Sequence, residues 1–73
     1  MPKLPVISGK DAIRKFEKIG YRVSRQRGSH VRMIPLNKNS LAFTVPLHGT
    51  LRKGLLSQLV KDARISVEEF KKL

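Results

Sequence analysis

The hydrophobic period of this chain changes twice, and these changes limit its fold more than any other feature of the sequence. Before Gly20, apolar residues recur at helical spacing. After it, the two-residue period of a strand runs through residues 21–26, through 29–34 and again through 41–45. Helical spacing returns from Leu51 onwards. The sequence therefore predicts a helix, three strands and a second helix, in that order.

Two capping signals mark the start of helices. Ser8 is a suitable N-cap residue and predicts a helix over residues 9–19. Ser66 and Glu69 have the spacing of a capping box, in which each side chain bonds the other residue's backbone N–H group. This second signal predicts a short last helix that folds Phe70 onto the core.

Short connections join the three predicted strands. Arg27 and Gly28 offer a turn between the first two, and residues 35–40 are turn-forming throughout. We therefore predict an α+β fold with a three-stranded antiparallel sheet and the helices packed on one face. If Val31 and Met33 face those helices, alternation leaves the other face open. The residues predicted for this open face are Arg22, Ser24, Gln26, His30, Arg32 and Thr44.

The second predicted helix is apolar on one side and basic at its start. The residues predicted to face the sheet are Leu51, Leu55, Leu56, Leu59, Val60 and Ala63. Arg52 and Lys53 stand near the helix start, where free backbone N–H groups favour an anion. We predict that both bind phosphate. The alternative is a flexible loop whose charges only aid solubility.

Length and charge limit the possible functions. With 73 residues, the chain is predicted to be one domain over 1–73 that begins with an extended, proline-containing leader over 1–7. Such a body has no room to enclose a large cofactor, and we expect none.

A net charge of +11 favours a polyanionic partner, which could be nucleic acid, an anionic membrane surface or an acidic protein. No apolar run is long enough to span a membrane, and we expect a cytoplasmic protein.

One basic stretch combines two kinds of chemistry. His30 stands among Arg25, Arg27 and Arg32. An imidazole can move a proton near neutral pH, and guanidinium groups hold phosphate, so together they supply what RNA cleavage without a metal requires. The alternative is a basic hairpin that happens to carry a histidine. A metal site is not expected, because two histidines without neighbouring carboxylates offer too few ligands.

Several motifs occur in an order that resembles a known family. They are Gly28-Ser29-His30, Val45-Pro46-Leu47-His48, Lys53-Gly54, Asp62-Ala63, Ile65-Ser66 and Glu68-Glu69-Phe70. Together they resemble the HicA family of bacterial and archaeal toxins, in register over nearly the whole chain. Three positions depart from the family pattern: Leu55 replaces a usual threonine, Arg64 replaces a usual glycine, and the segment between His48 and Lys53 is about one residue short.

The resemblance implies a fold, an activity and a partner. The fold would be the double-stranded-RNA-binding-like α-β-β-β-α arrangement. The activity would be that of an mRNA interferase, an endoribonuclease that needs neither ribosome nor metal, and the partner a cognate HicB antitoxin, expected to be acidic. The family's catalytic histidine corresponds to His30, and its flanking pair to Gly28 and Ser29. His48 corresponds to the histidine after the third strand and is a candidate auxiliary catalytic residue.

Two further interpretations of the sequence stay open. A noncatalytic double-stranded-RNA-binding module would use the basic loop 51–53 and the strand arginines to hold a duplex by its shape. A basic protein that docks on an acidic partner would bind RNA weakly and leave it uncut. Only the toxin hypothesis predicts that the protein cleaves RNA and that this cleavage depends on His30.

Overall fold

The computed structural model describes residues 3–73 and contains the predicted elements in the predicted order. These are α1 (Gly9–Lys18), β1 (Tyr21–Arg27), β2 (His30–Pro35), β3 (Phe43–Pro46), α2 (Lys53–Asp62) and α3 (Val67–Lys72). Residues 3–7 of the predicted leader form neither helix nor strand, and Met1 and Pro2 lie outside the described residues. The α+β, double-stranded-RNA-binding-like architecture is confirmed, with α3 as the predicted last short helix.

The helix ends form as their capping residues predict. The Ser8 hydroxyl accepts a hydrogen bond from the Asp11 backbone N–H at 3.1 Å, and α1 stops just before Gly20, which has a φ of 102°. Ser66 and Glu69 complete both bonds of the capping box at the start of α3. Local chemistry therefore fixes where α1 and α3 begin.

The sheet is antiparallel in the order β1-β2-β3, and β1 contains an extra residue. Val23 pairs with Met33, whereas Arg25 pairs with Arg32, so Ser24 is left between them as a β-bulge. A bulge reverses the alternation of side chains beyond it, since two residues of one strand oppose one residue of the next.

The bulge corrects the predicted composition of the open face. Gln26 pairs with Val31, a buried residue, and so lies on the helix-covered side of the sheet rather than on the open one. Arg25 and Arg27 instead share the open face with His30, which pairs directly with Arg27. The prediction for Gln26 was wrong because strict alternation was assumed through β1.

Aromatic rings form the centre of the core between the sheet and the helices. The Phe16 ring of α1 lies 4.8 Å from the Phe43 ring of β3, 5.2 Å from the Phe70 ring of α3 and 5.7 Å from the Tyr21 ring of β1. All four residues are at most 5% exposed. Phe16 therefore joins α1 to both the sheet and α3, which confirms the predicted burial of Phe70.

The second helix differs from its prediction at one leucine. Leu51, Leu56 and Leu59 are buried as predicted, but Leu55 is 36% exposed. Leu55 lies in the first turn of α2, beside solvent, so the apolar stripe of this helix is narrower than predicted. After α2 the chain reverses through Arg64, whose φ of 61° is unusual for a residue other than glycine.

Candidate functional site

A tight hairpin turn brings His30 next to the basic end of β1. The turn consists of Gly28 and Ser29, one residue later than predicted, and joins the paired residues Arg27 and His30. Gly28 has a φ of 59°, a conformation that glycine adopts without steric cost. The turn therefore sets an imidazole directly across from a guanidinium group.

The open face of the sheet contains a shallow groove of about 230 Å³. Its lining residues are Arg25, Arg27, His30, Arg32 and Thr44. Each of these side chains is exposed. The groove thus brings together the predicted catalytic histidine and three of the predicted phosphate-binding residues.

The strand pairing arranges these residues in two rows across the sheet. Arg25, Arg32 and Thr44 occupy paired positions on the three strands. Arg27 and His30 form the next row, which ends at Pro46. Neighbouring strands lie about 4.8 Å apart, and residues two apart on one strand are separated by about 6.7 Å. His30 is therefore within side-chain reach of every other residue that lines the groove.

The charges of the groove favour an anion. Three guanidinium groups line it, with no carboxylate among the lining residues. Guanidinium groups carry a permanent charge and bind phosphate oxygens in pairs. The groove also lacks a phenylalanine, tyrosine or tryptophan side chain, because all four such residues lie in the core. Its chemistry suits the phosphate backbone of a nucleic acid rather than the stacking of bases.

The other predicted site residues lie outside this groove. His48 is exposed in the loop after β3 and is not among the lining residues, although its loop follows Pro46, the partner of His30. Arg52 is the N-cap of α2 and makes no side-chain capping bond. Lys53 lines a second groove of about 280 Å³, together with Lys3 and neighbouring residues of the leader. Lys53 therefore lies on a different surface from the groove of His30, and His48 and Arg52 line neither groove.

A close backbone contact holds α1 against the strand and loop that border the groove. The Gly9 N–H donates a hydrogen bond to the His48 carbonyl oxygen at 2.9 Å. A Cβ atom at Gly9 would overlap the Pro46 carbonyl oxygen, so the position needs glycine because of this contact. On the other side, the Leu47 N–H donates to the Ser29 carbonyl oxygen at 2.7 Å. The loop that carries His48 is thus fixed to both α1 and the hairpin turn.

Thr44 lines the groove but was not predicted as a site residue. The alternation of β3 predicts Thr44 on the open face, and that placement is confirmed. The sequence did not predict that Thr44 lies beside His30, because the register between β2 and β3 cannot be read from either strand alone. A search for hydroxyl groups on the predicted open face could have found it.

Neither a cluster of metal ligands nor a membrane-spanning helix is found in the described part of the chain. Among residues 3–73, no three His, Cys, Asp or Glu side chains lie close enough together to hold a metal ion. Over the same residues, no helix combines the length and the apolar character that crossing a membrane would need.

The chain matches one family model. The model, described as HicA toxin of bacterial toxin-antitoxin, matches residues 9–65, which run from the start of α1 to just beyond α2 and include the whole groove. The searches of curated proteins and of solved structures each gave no significant match. The match agrees with the motifs read from the sequence and covers most of the chain. The chain therefore belongs to the HicA family, the toxins of bacterial toxin–antitoxin systems.

Proposed function

We propose that this HicA family member is an mRNA interferase, a metal-independent endoribonuclease with His30 as its catalytic base. The observation that carries the proposal is the position of His30, exposed in a groove with three arginines on the open face of the sheet. A histidine in the core would have no access to a substrate. Here a ribose hydroxyl can reach the imidazole while the neighbouring phosphate contacts guanidinium groups.

The proposed reaction uses the 2′-hydroxyl of RNA as the nucleophile. Neutral His30 takes the proton of this hydroxyl, and its oxygen forms a bond to the adjacent phosphorus. The bond between phosphorus and the 5′-oxygen breaks, and that oxygen takes up a proton as it leaves. The products are a 2′,3′-cyclic phosphate and a 5′-hydroxyl end. DNA lacks the 2′-hydroxyl and would not be cut.

The arginines would stabilise the charge that develops on the phosphate. Arg27 pairs with His30 across the hairpin, and Arg32 lies two residues further along β2, so one phosphate beside His30 can contact both. Fixed cations aimed at a developing negative charge commonly supply a large share of the rate enhancement. Because they already neutralise the phosphate, the reaction as proposed needs no metal.

Arg25, Gly28 and Ser29 would extend the phosphate contacts along the groove and its turn. His48 is the candidate acid for the leaving 5′-oxygen, because it is the only other imidazole in the chain and its loop is anchored next to the turn. Arg52, the N-cap of α2, and Lys53, which follows it, would hold the RNA at a second place, outside the catalytic groove.

Membership of a toxin–antitoxin family implies a cognate antitoxin. We expect this partner to be a HicB-type protein that is acidic and covers the open face, since a surface with three arginines and no carboxylate in its groove attracts negative charge. Binding there would exclude RNA from His30.

A chelator-treated digest of RNA tests the proposal. The wild type should cut RNA in excess EDTA, and His30→Ala should lose about 10²- to 10⁴-fold of the rate, the usual contribution of a general base. His30→Ala should still bind RNA, because the arginines remain. Lys72→Ala, which removes a charge from α3, should cut like the wild type.

The same digest decides between cleavage and binding alone. A wild type that binds RNA but leaves it uncut would contradict the proposal and favour a noncatalytic RNA-binding module. An equal rate for wild type and His30→Ala would remove the histidine from the mechanism.

A further inference from the structure

The groove contains one polar group to which the proposed reaction assigns no role. Four of its lining residues are the base and its three cationic neighbours, and the fifth is Thr44. Thr44 contributes the only hydroxyl group among the lining residues. It lies on β3, whereas the other four lie on β1 and β2, so it borders the groove on the side without arginines.

The register places Thr44 beside the reacting groups. Thr44 pairs with Arg32, and His30 lies two residues before Arg32 on the same strand. Thr44 is therefore the diagonal neighbour of His30, at a typical Cα separation of about 7–8 Å. A phosphate that contacts both Arg32 and His30 lies within reach of the Thr44 hydroxyl.

Buried residues on both sides of Thr44 fix its backbone in the sheet. Phe43 is 5% exposed and Val45 is fully buried. The Phe43 ring stacks on the Tyr21 ring at a centroid distance of 4.5 Å. The side chain of threonine is branched at Cβ, which restricts its rotation further. A hydroxyl held in this way can orient a substrate with little loss of conformational entropy.

The Thr44 hydroxyl is also free to bind a ligand. Among residues 3–73, the hydroxyl groups of Ser8, Tyr21, Ser24, Ser40 and Ser66 are each hydrogen-bonded to another part of the protein, whereas those of Ser29, Thr44, Thr50 and Ser57 are not. None of the side-chain hydrogen bonds in this described part of the chain involves Thr44. Its hydroxyl is therefore available both as a donor and as an acceptor.

We propose that Thr44 is a substrate-positioning residue whose hydroxyl donates a hydrogen bond to a nonbridging oxygen of the scissile phosphate. This inference rests on the proposed ribonuclease function. Arg27 and Arg32 bind the phosphate from β1 and β2, and Thr44 binds it from β3. Contacts from three strands fix the phosphorus where the 2′-oxygen, activated by His30, attacks in line with the leaving oxygen.

Three variants test the role of Thr44. Thr44→Val keeps the branched shape and the strand propensity but removes the hydroxyl, so it should lower kcat/KM by about 10- to 100-fold, as expected for a hydrogen bond to a charged group. Thr44→Ser keeps the hydroxyl and should recover most of the loss. Ser57→Ala removes a hydroxyl from α2, on the opposite side of the sheet, and should cut like the wild type. Thermal unfolding should show folded protein in every case.

The outcomes separate this inference from the function on which it rests. If Thr44→Val cuts RNA as fast as the wild type while His30→Ala is inactive, the role of Thr44 is wrong and the ribonuclease proposal stands. If Thr44→Ser is as slow as Thr44→Val, the shape of the side chain matters and the hydrogen bond is refuted. If the wild type cuts no RNA, both proposals fail together.

Discussion

Replacing Gly9 by alanine tests how α1 is held against the strand that borders the groove. Gly9 is buried, and an added Cβ would overlap the Pro46 carbonyl oxygen and lie 2.9 Å from the Pro46 carbonyl carbon and 3.1 Å from the Leu47 Cα. Backbone atoms cannot turn aside as a flexible side chain can. The start of α1 must therefore move away from β3, which also stretches the 2.9 Å hydrogen bond from Gly9 to His48.

The expected loss of stability follows from these contacts. Overpacking costs about 1–3 kcal/mol, and a weakened backbone hydrogen bond adds about 0.5–1.5 kcal/mol. The better helix propensity of alanine returns at most about 1 kcal/mol. The net expectation is a loss of about 2 kcal/mol. For a domain of this size, that corresponds to a fall in Tm of about 8–16 °C.

A second glycine provides the matched control. Gly54 lies in the exposed first turn of α2, and an added Cβ there would meet no atom within 4 Å. Gly54→Ala should therefore stabilise the protein by up to about 1 kcal/mol through helix propensity alone. Thermal and urea unfolding, followed by far-UV circular dichroism, can compare both variants in a His30→Ala background that avoids toxicity. A Gly9→Ala protein as stable as its parent would refute the proposed contact.

Two further predictions concern the core hydroxyl and the bulged strand. The Tyr21 hydroxyl donates to the Leu41 carbonyl oxygen at 2.7 Å, so Tyr21→Phe should lose about 1 kcal/mol of unfolding free energy. Burial raises the pKa of Tyr21 above its value in the unfolded chain. As the pH rises above about 10, the tyrosine therefore ionises first in the unfolded chain, and its contribution to the free energy of unfolding should fall. Tyr21→Phe should not show this alkaline loss of stability when unfolding is measured at increasing pH. Arg25→Gln should weaken RNA binding and reduce the slope of log K against log salt by about 0.7, whereas the converse change Gln26→Arg should alter the slope little in a filter-binding titration, because position 26 lies on the other face of the sheet. Equal effects at the two positions would contradict the bulged register.

The order and type of the elements could be predicted from the sequence because the signals are local. The Ser8 and Ser66 caps, the stop at Gly20 and the alternation of β2 and β3 depend on residues close together in the chain. These predictions are confirmed except at the start of the third strand, where β3 begins at Phe43 and leaves Leu41 52% exposed. Local chemistry also placed His30 on the open face, since β2 contains no bulge and its alternation is regular.

The bulge could not be predicted because it is a property of two strands. Nothing in β1 alone marks Ser24 as an extra residue; it becomes one when Val23 and Arg25 pair with consecutive residues of β2. In this register Arg25 and Arg27 share a face with His30. The composition of the groove therefore depends on a pairing that alternation within one strand does not reveal.

Two other features depend on contacts between distant parts of the chain. The need for glycine at position 9 arises from the backbone of Pro46, which is far from it in the sequence. Leu55 is 36% exposed although Leu56, the next residue and about 100° further round the helix, is buried, so the core covers a narrower stripe of α2 than predicted. A helical pattern shows which residues share a side of the helix, but not how far the neighbouring sheet covers that side.

The ends of the RNA fragments test the central claim most directly. A defined RNA oligonucleotide, a copy with a single 2′-deoxy substitution at the cleaved position and the matching DNA can be digested in EDTA and analysed by mass spectrometry. The account predicts 2′,3′-cyclic phosphate and 5′-hydroxyl ends from the RNA, no cut at the substituted position and no cut in the DNA. Fragments with 5′-phosphate ends, or cleavage of the bond on the 3′ side of the 2′-deoxy nucleotide, would show that the 2′-hydroxyl is not the nucleophile and would contradict the role assigned to His30.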